Sequence, residues 1–573
     1  MDPAGPSELI AMRMIRRALF AALFAFWAGS CAAQNPSVES VKKLYDQKQW
    51  SEIVQLVPRS TGTSPDLDLY LGLALAQLQR WPEAKAALAN GARKAPNDVR
   101  FPVELAGVAY RVNDLAEATR QLHRALSLNP HDSYALNFLA TIYLLRGNLA
   151  AALEYWNRIG APKISEVEEV PQAHVKQSLL DRAIAVSPLS VMRLPDFEMT
   201  NAQLDSLRVF AVRRWELQPD ESGNYKFVLH SIDERGWGGN KWTIALSTLR
   251  GLPYETVYPE YKNAKGSAIN FESLVRWDSN KRRLFASVST PLDDDPRWRL
   301  NVFADGRDEN WNLTNSFQTS LPLGELKLRK IEIGAEIRRI ENGRWSWLTG
   351  AAISRRTFAN LSANASQARP FFSSGNVLEW NDSSNYRLLL LPDKRIAVDA
   401  LGAAGIGRFF ADSGANRFER VEGSLRFHWF PRPEGDDYEM TSQFRSGALF
   451  GSVPLDELYT LGVERDDNDL WLRGISVTRG GEKGNSPMGR RYVLWNWQWD
   501  KVVFHDAFVE VKAGPSFDAG DVGGSSGYFG SRGWLWDPGA QLTVRVLDTV
   551  NVVFSYGHDV RSGQNTFFSA ALP

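Results

Sequence analysis

From Trp237 to the C-terminus, apolar and polar residues alternate in short segments separated by Gly, Asp, Asn and Pro. Ile269, Phe271, Val275 and Trp277 alternate with Asn270, Glu272, Arg276 and Asp278, and Trp298, Leu300 and Val302 with Arg297, Arg299 and Asn301. Val493, Trp495, Trp497 and Trp499 alternate with Asn496, Gln498 and Asp500 in the same way. Period two sends each set to its own face of a strand. Fifteen of the 20 tryptophans lie at or after Trp237, as interface girdles of a membrane barrel require. Beyond the N-terminus the chain has no apolar run of about 18 residues, so it can cross a bilayer only as a closed β-barrel. Residues 236–573 are therefore expected to form a transmembrane antiparallel β-barrel of roughly 16 strands. A soluble β-sandwich or propeller is the competing fold, and the export signal described next favours the barrel.

Residues 1–33 read as a signal peptide. Arg13, Arg16 and Arg17 precede the short apolar stretch Ala18 to Trp27, and Ser30-Cys31-Ala32-Ala33 offers small residues for cleavage. The start codon could equally be Met12 or Met14. Lipidation of Cys31 is the alternative to ordinary cleavage, with Ala28 a poor match to that motif. Cys31 is the only cysteine, so ordinary cleavage leaves no thiol chemistry and no Cys-based metal site. The 66 basic residues balance the 66 acidic ones, which argues against a nucleic-acid partner.

Residues 34–165 repeat with a period of 34. Gly72, Ala106 and Ala140 share one position, Ala84, Ala118 and Ala152 another, and Pro96 and Pro130 end two of the units. Gly147 marks an interhelical turn, and Lys42 to Val57 form a degenerate first unit. Small residues let paired helices approach and proline stops the second helix. The pattern resembles tetratricopeptide repeats, which implies an α-helical solenoid that binds an extended peptide or a partner helix. A structural spacer is the plainer reading.

A short bridge follows, and Ile164 to Glu169 is taken as the acidic end of the array. Helices are expected over Ala173 to Ala185 and Thr200 to Val212, with strands at Pro188 to Leu194, Arg214 to Leu217 and Tyr225 to Ile232. Residues 186–235 resemble one polypeptide-transport-associated (POTRA) α/β unit, with an irregular linker and hairpin as the alternative. The whole chain is thus read as α+β multidomain.

Near the C-terminus an ordered set of motifs appears. Pro454-Leu455-Asp456-Glu457-Leu458 and Leu461-Gly462 precede Leu472-Arg473-Gly474-Ile475, and Asn496-x-Gln498 and Phe517-Asp518-Ala519-Gly520 follow. This set resembles the superfamily of the β-barrel assembly machinery core subunit and the two-partner secretion translocators, also called the bacterial surface antigen family. The resemblance implies a long loop folded back into the barrel lumen. Its anchor would comprise Leu472, Arg473, Gly474 and Ile475 on the loop with Phe517, Asp518 and Gly520 on the wall, and Arg473 would pair with Asp518. A buried Arg–carboxylate fork would offset the loop's entropy, and Gly474 would permit close backbone approach. Two positions depart from the pattern: Ile475 replaces an aromatic residue, and Gln498 stands where Glu is frequent.

The resemblance implies a non-enzymatic protein of the outer membrane in a diderm bacterium, its N-terminal domains in the periplasm. Its repeats would bring client polypeptides or accessory proteins to a barrel that inserts or translocates them. No cofactor and no metal is expected. A polysaccharide-export or solute pore, or a surface receptor anchored by its barrel, would use the same architecture. Gly523-Gly524-Ser525-Ser526-Gly527 matches a nucleophile-elbow pattern without the required strand–turn–helix context, and reads as a loop.

Overall fold

A computed structural model describes residues 37–57, 64–238, 241–313, 324–361, 371–411, 414–466, 468–524, 530–547 and 550–572. The expected signal peptide and Cys31 lie outside the described residues. The chain divides into two compact units, residues 1–142 and 143–573.

The first unit is helical: α1 (Val38–Asp46), α2 (Trp50–Leu56), α3 (Pro65–Gln77), α4 (Trp81–Lys94), α5 (Arg100–Arg111), α6 (Leu115–Leu128) and most of α7 (Ser133–Leu145). Ser64 caps α3 by accepting the Leu67 N–H, and Pro65 opens the helix where no N–H partner is needed. A Cβ on Gly72 would lie 2.5 Å from Leu88 Cγ, so the glycine is what lets α3 and α4 touch. Ala84, Ala106, Ala118 and Ala140 are fully buried in the helix-packing layer. Pro96 and Pro130 sit just past α4 and α6 and terminate these helices rather than filling the core. Gln79, Asn113 and Gly147 stand 34 residues apart and all take positive φ (59°, 60° and 75°) at the turn between paired helices. Glycine marks this turn only once in the sequence because the other two repeats carry side chains there.

The second unit opens with the end of α7 and with α8 (Leu149–Trp156), where Ala152 is fully buried. Next come β1 (Ile164–Val170), α9 (Gln177–Ala183), α10 (Leu194–Leu207), β2 (Phe210–Pro219) and β3 (Tyr225–Asp233). The three strands form one sheet in the order β1-β3-β2, with β1 parallel and β2 antiparallel to β3. Leu179, Leu180, Leu204, Leu207 and Leu229 fill the space between helices and sheet. Three local expectations are corrected. The helix expected over Thr200 to Val212 runs instead from Leu194 to Leu207, and Phe210 to Val212 already belong to β2. Ile164 to Glu169 does not trail off the array but forms β1, its buried Ile164 beginning an alternation that the surface glutamates obscure. Pro188 to Leu194 is not a strand, because Leu194 starts α10 and Pro195 occupies its first turn.

After α11 (Lys241–Leu249) the barrel wall begins with the interrupted β4 (Thr256–Val257) and β5 (Glu260–Ala264). It continues through β6 (Ile269–Trp277), β7 (Lys281–Leu292), β8 (Asp295–Asn312), β9 (Glu325–Asn342), β10 (Trp345–Ala359) and β11 (Gly375–Leu391). The far wall is β12 (Ile396–Ala411), β13 (Gly414–Trp429) and β14 (Tyr438–Gly451). A long connection carries the two-residue strands β15 (Tyr459–Thr460), β16 (Thr478–Arg479), β17 (Glu482–Lys483) and β18 (Met488–Gly489). The wall resumes with β19 (Arg491–His505), β20 (Val509–Gly523), β21 (Leu535–Val546), β22 (Val550–His558) and β23 (Asn565–Leu572). Neighbours pair antiparallel, and the strand order closes the sheet, bringing β23 beside β4.

Helices followed by a large antiparallel barrel is the fold class expected from the sequence. The sheet holds 18 strands among the described residues, two of which (β16 and β17) belong to the inward connection, so 16 make up the wall, the number expected. The alternation works as read. Ile331, Ile333, Ile353, Leu378 and Phe554 are all at least 46% exposed on the outer face, while Asn270 and Arg356 are fully buried inside. Such a contiguous apolar outer band is suited to hydrocarbon rather than water.

The α/β bridge is fixed to the tight turns at one end of the barrel. Arg299 donates to the Ser206 and Leu207 carbonyls at 2.8 and 3.2 Å, capping the C-terminus of α10. Arg344 pairs with Glu198 at 2.9 Å, and a Cβ on Gly343 would fall 2.5 Å from Glu198.

Candidate functional site

Residues 452–490, between β14 and β19, run through the barrel interior. Their apolar side chains share a core with the wall: Leu455, Leu461, Leu472, Ile475 and Met488 pack with Leu449, Tyr492, Leu494, Val522 and Leu535. The polar residues of the loop meet an interior lined with charge.

Leu472 to Ile475 form a tight turn, the Ile475 N–H donating to the Leu472 carbonyl at 3.0 Å. Both flanking side chains are buried, so the aliphatic Ile475 fills an apolar pocket in place of an aromatic ring. The two central residues press flat against β20–β23. The Arg473 backbone N–H donates to Asp518 Oδ2 at 2.9 Å, and the Gly474 N–H to Asp537 Oδ2 at 2.6 Å. Thr566 Oγ1 donates to the Gly474 carbonyl at 2.6 Å. A Cβ on Gly474 would lie 2.6 Å from Asp537 Cγ and 2.7 Å from the Asp559 backbone nitrogen. One on Gly557 would lie 2.3 Å from the Arg473 carbonyl carbon. Glycine on both surfaces makes the contact possible.

Arg473 and Asp518 are thus brought together, but not as the bidentate fork expected. The guanidinium Nη1 stands 3.6 Å from Asp518 Oδ1, too long for a hydrogen bond, while Nη2 donates to Gln498 Oε1 at 2.8 Å. Asp518 is fully buried and satisfied instead by the Arg473 backbone and by Asn496 Nδ2 at 2.7 Å. Gly520 faces inward, its Cβ position 3.0 Å from Leu461 Cδ1. Phe517 needs a correction. It lies on the outer face against Trp495 and Trp536, at 5.7 and 5.9 Å between ring centres, and takes no part in the luminal contact. The period-two rule demands this once Asp518 points inward.

A second hold was not assigned from the sequence. Asp456 and Glu457 sit on a short turn just after β14. Arg356, with no solvent exposure, donates through Nη1 to Asp456 and through Nη2 to Glu457, both at 3.0 Å. Lys330 lies 3.3 Å from the same Glu457 carboxylate, and Arg420 also donates to it. These cations come from β9, β10 and β13. Glu464 forms a third contact, pairing with Lys281 on β7 and with Lys483 of the loop, which itself pairs with Glu309 at 3.1 Å. The inward polar positions on the strands were legible from alternation; which loop residue each would meet was not.

Two cavities flank the loop, of ≈ 690 and ≈ 800 Å³. The first is lined by seven basic and seven acidic residues, so its interior carries no excess of one sign. The second lies beside the tip and includes Arg445, Trp471, Arg473 and Gln498. Among the described residues, no cluster of His, Cys, Asp and Glu suits a metal ion.

No protein-family model matches the chain, and no curated protein does. Solved structures similar to it include BamA from Haemophilus ducreyi lacking POTRA domains 1-3, at 10% identity and TM-score 0.42, covering 72% of this chain and 85% of that one. CdiB from Escherichia coli matches at 14% identity and TM-score 0.47, covering 72% of this chain and 77% of that one. CdiB from Acinetobacter baumannii matches at 13% identity and TM-score 0.43, covering 81% and 87%.

Proposed function

We propose that this chain is an outer-membrane protein that inserts or translocates other polypeptides, its N-terminal helical repeats recruiting clients or accessory proteins from the periplasm. The observation that carries this reading is the loop at 452–490, pinned inside the lumen by buried charge and by backbone contacts to four strands. A permanently open solute pore has no use for such a plug, and the balanced charge of the lumen would not select a charged polymer. A plug held by many discrete polar contacts can instead be exchanged for a client strand that offers its own.

The connections support a periplasmic orientation for the N-terminal domains. The bridge docks on tight turns such as 293–294 and 343–344, whereas at their other ends β8 and β9, and β10 and β11, are separated by longer stretches of sequence. Outer-membrane barrels place short turns in the periplasm and long loops outside. On this reading the bridge and the repeats belong to the periplasmic side, where exported clients arrive. The α/β bridge takes the part of a single POTRA-like unit, and no covalent chemistry is needed, because burial of the client's apolar face in lipid supplies free energy.

The test is depletion of the full-length protein followed by quantitative proteomics of outer membrane and culture medium. The expected result is loss of a defined set of outer-membrane or secreted proteins, restored by the wild-type gene and poorly by Arg473→Ala. An unchanged census in both fractions overturns the proposal.

A further inference from the structure

The two ends of the barrel sheet are its weakest part. The first wall strand is broken into two and five residues, and its ladder with β6 comprises two pairs at Thr256 and Val257 and three at Glu260, Tyr261 and Ala264. The neighbouring pairs elsewhere in the wall are longer: β22 and β23 share eight register partners, and β9 and β10 fifteen. A seam with so short an edge strand has few backbone hydrogen bonds to close it.

The loop supplies what the ladder lacks. Arg465 donates through Nε to the Ser569 carbonyl of β23 at 2.7 Å. Its guanidinium also lies over two rings: Phe568 of β23 at 5.1 Å, and Tyr254, just before β4, at 4.3 Å. One side chain therefore touches both ends of the sheet. The residues beside it do the same in pairs. Tyr258, between β4 and β5, donates to Asp466 at 2.6 Å, and Arg283 of β7 donates to the Asp466 carbonyl. Trp471 packs edge-on to Phe568 at 5.4 Å, and Val463 joins Phe568 and Ala570 in a small apolar cluster.

We propose that Arg465 is a positioning residue that closes the barrel: its planar guanidinium clamps the last strand to the start of the first from inside the lumen. The fork geometry matters because a flat, weakly hydrated cation can face one ring, approach another and still direct Nε–H at a carbonyl. Lysine has neither the plane nor that donor. The proposal goes beyond the proposed function and does not depend on any client.

Hydrogen exchange of the full-length protein in lipid nanodiscs, followed by mass spectrometry, tests it. Arg465→Ala should raise exchange in peptides covering 254–264 and 565–572 by about tenfold, with peptides from β11–β13 unchanged. Arg465→Lys should follow alanine rather than wild type. Glu457→Gln is the control, loosening β9, β10 and β13 and sparing the seam. Wild-type exchange at the seam in Arg465→Ala overturns the proposal. So does an equal rise throughout the barrel, which would show a general loss of stability, and so does full rescue by lysine. The readout is physical, so a failed client census leaves this result standing, and a failed clamp leaves the census standing.

Discussion

At Asp456 and Glu457 the inward loop offers two carboxylates to three cations on three strands, whereas at Arg473 and Gly474 it offers mainly its backbone to carboxylates on the wall. The first hold is made of side-chain charge and is buried on both sides. The second would keep its N–H bonds to Asp518 and Asp537 whatever side chain stood at 473. The two regions therefore differ in what breaks them. The hub fails when a charge is removed; the tip fails when the backbone can no longer approach.

The sharpest break should come at the hub. Glu457→Gln leaves the fully buried Arg356 and the half-buried Lys330 and Arg420 with one carboxylate fewer between them. Loss of one member of a buried ion cluster costs about 3–5 kcal/mol because the remaining charges stay desolvated. Urea unfolding of the barrel in lipid, read by the shift from folded to unfolded gel mobility, should show a fall of this size. A change below about 1 kcal/mol would mean the hub is hydrated and worth no more than a surface pair.

Arg473→Ala should cost less, about 1–3 kcal/mol, the range for losing a charged hydrogen bond to Gln498 with Asp518 still satisfied by backbone and Asn496. A loss equal to that of Glu457→Gln would show that the 3.6 Å contact tightens in the membrane into the expected fork. Its effect on clients should exceed its effect on stability, whereas Glu457→Gln should impair both in proportion. Depletion strains complemented with each variant, assayed for both quantities, separate the two.

Gly474→Ala probes the tip by shape alone. The added methyl meets Asp537, which could rotate, but also the Asp559 backbone nitrogen, which cannot. Overpacking of this kind costs about 1–3 kcal/mol and should open the 472–475 turn without touching the hub. Limited proteolysis in the loop should become faster, with cleavage near 474 and none near 457.

The same comparison explains what could be read in the sequence. Arg473, Gly474 and Asp518 stand in an ordered motif, and the resemblance it carries implies that Asp518 faces the loop. The hub acids Asp456 and Glu457 belong to the same motif set, but nothing in it names their partners: Glu457 meets residues 127, 101 and 37 positions away, chosen by strand register and barrel closure. Asp537 was equally silent, because a backbone N–H partner leaves no mark on the residue that supplies it. Phe517 was misplaced because the resemblance grouped it with its neighbour, although strand periodicity separates them. The barrel was legible as a whole because alternation is local; the contacts inside it join distant strands, and no local pattern encodes them.

The smallest expected effect concerns Gln498, where a glutamate would be expected to grip Arg473 harder. Gln498 here works in both directions: Oε1 accepts from Arg473 at 2.8 Å while Nε2 donates to Asp500 at 2.6 Å. A carboxylate could do only the first. Gln498→Glu would turn a charge–dipole hydrogen bond to Arg473 into an ion pair, and in the same step replace the bond to Asp500 with repulsion between two acids two residues apart on one face. The bond is already charge-assisted through the guanidinium, so the second charge adds less than the step from a neutral to a charged bond would. The lost donor and the new repulsion are each of order 1 kcal/mol, so the balance should be a destabilisation of about 1 kcal/mol or less. Removing the second acid should reverse the sign: Gln498→Glu with Asp500→Asn restores a donor beside the new carboxylate and should stabilise the tip relative to Asp500→Asn alone. A double-mutant cycle on unfolding free energy measures the coupling. Zero coupling would mean that Asp500 does not set the residue at 498, and that the tip tolerates glutamine for another reason.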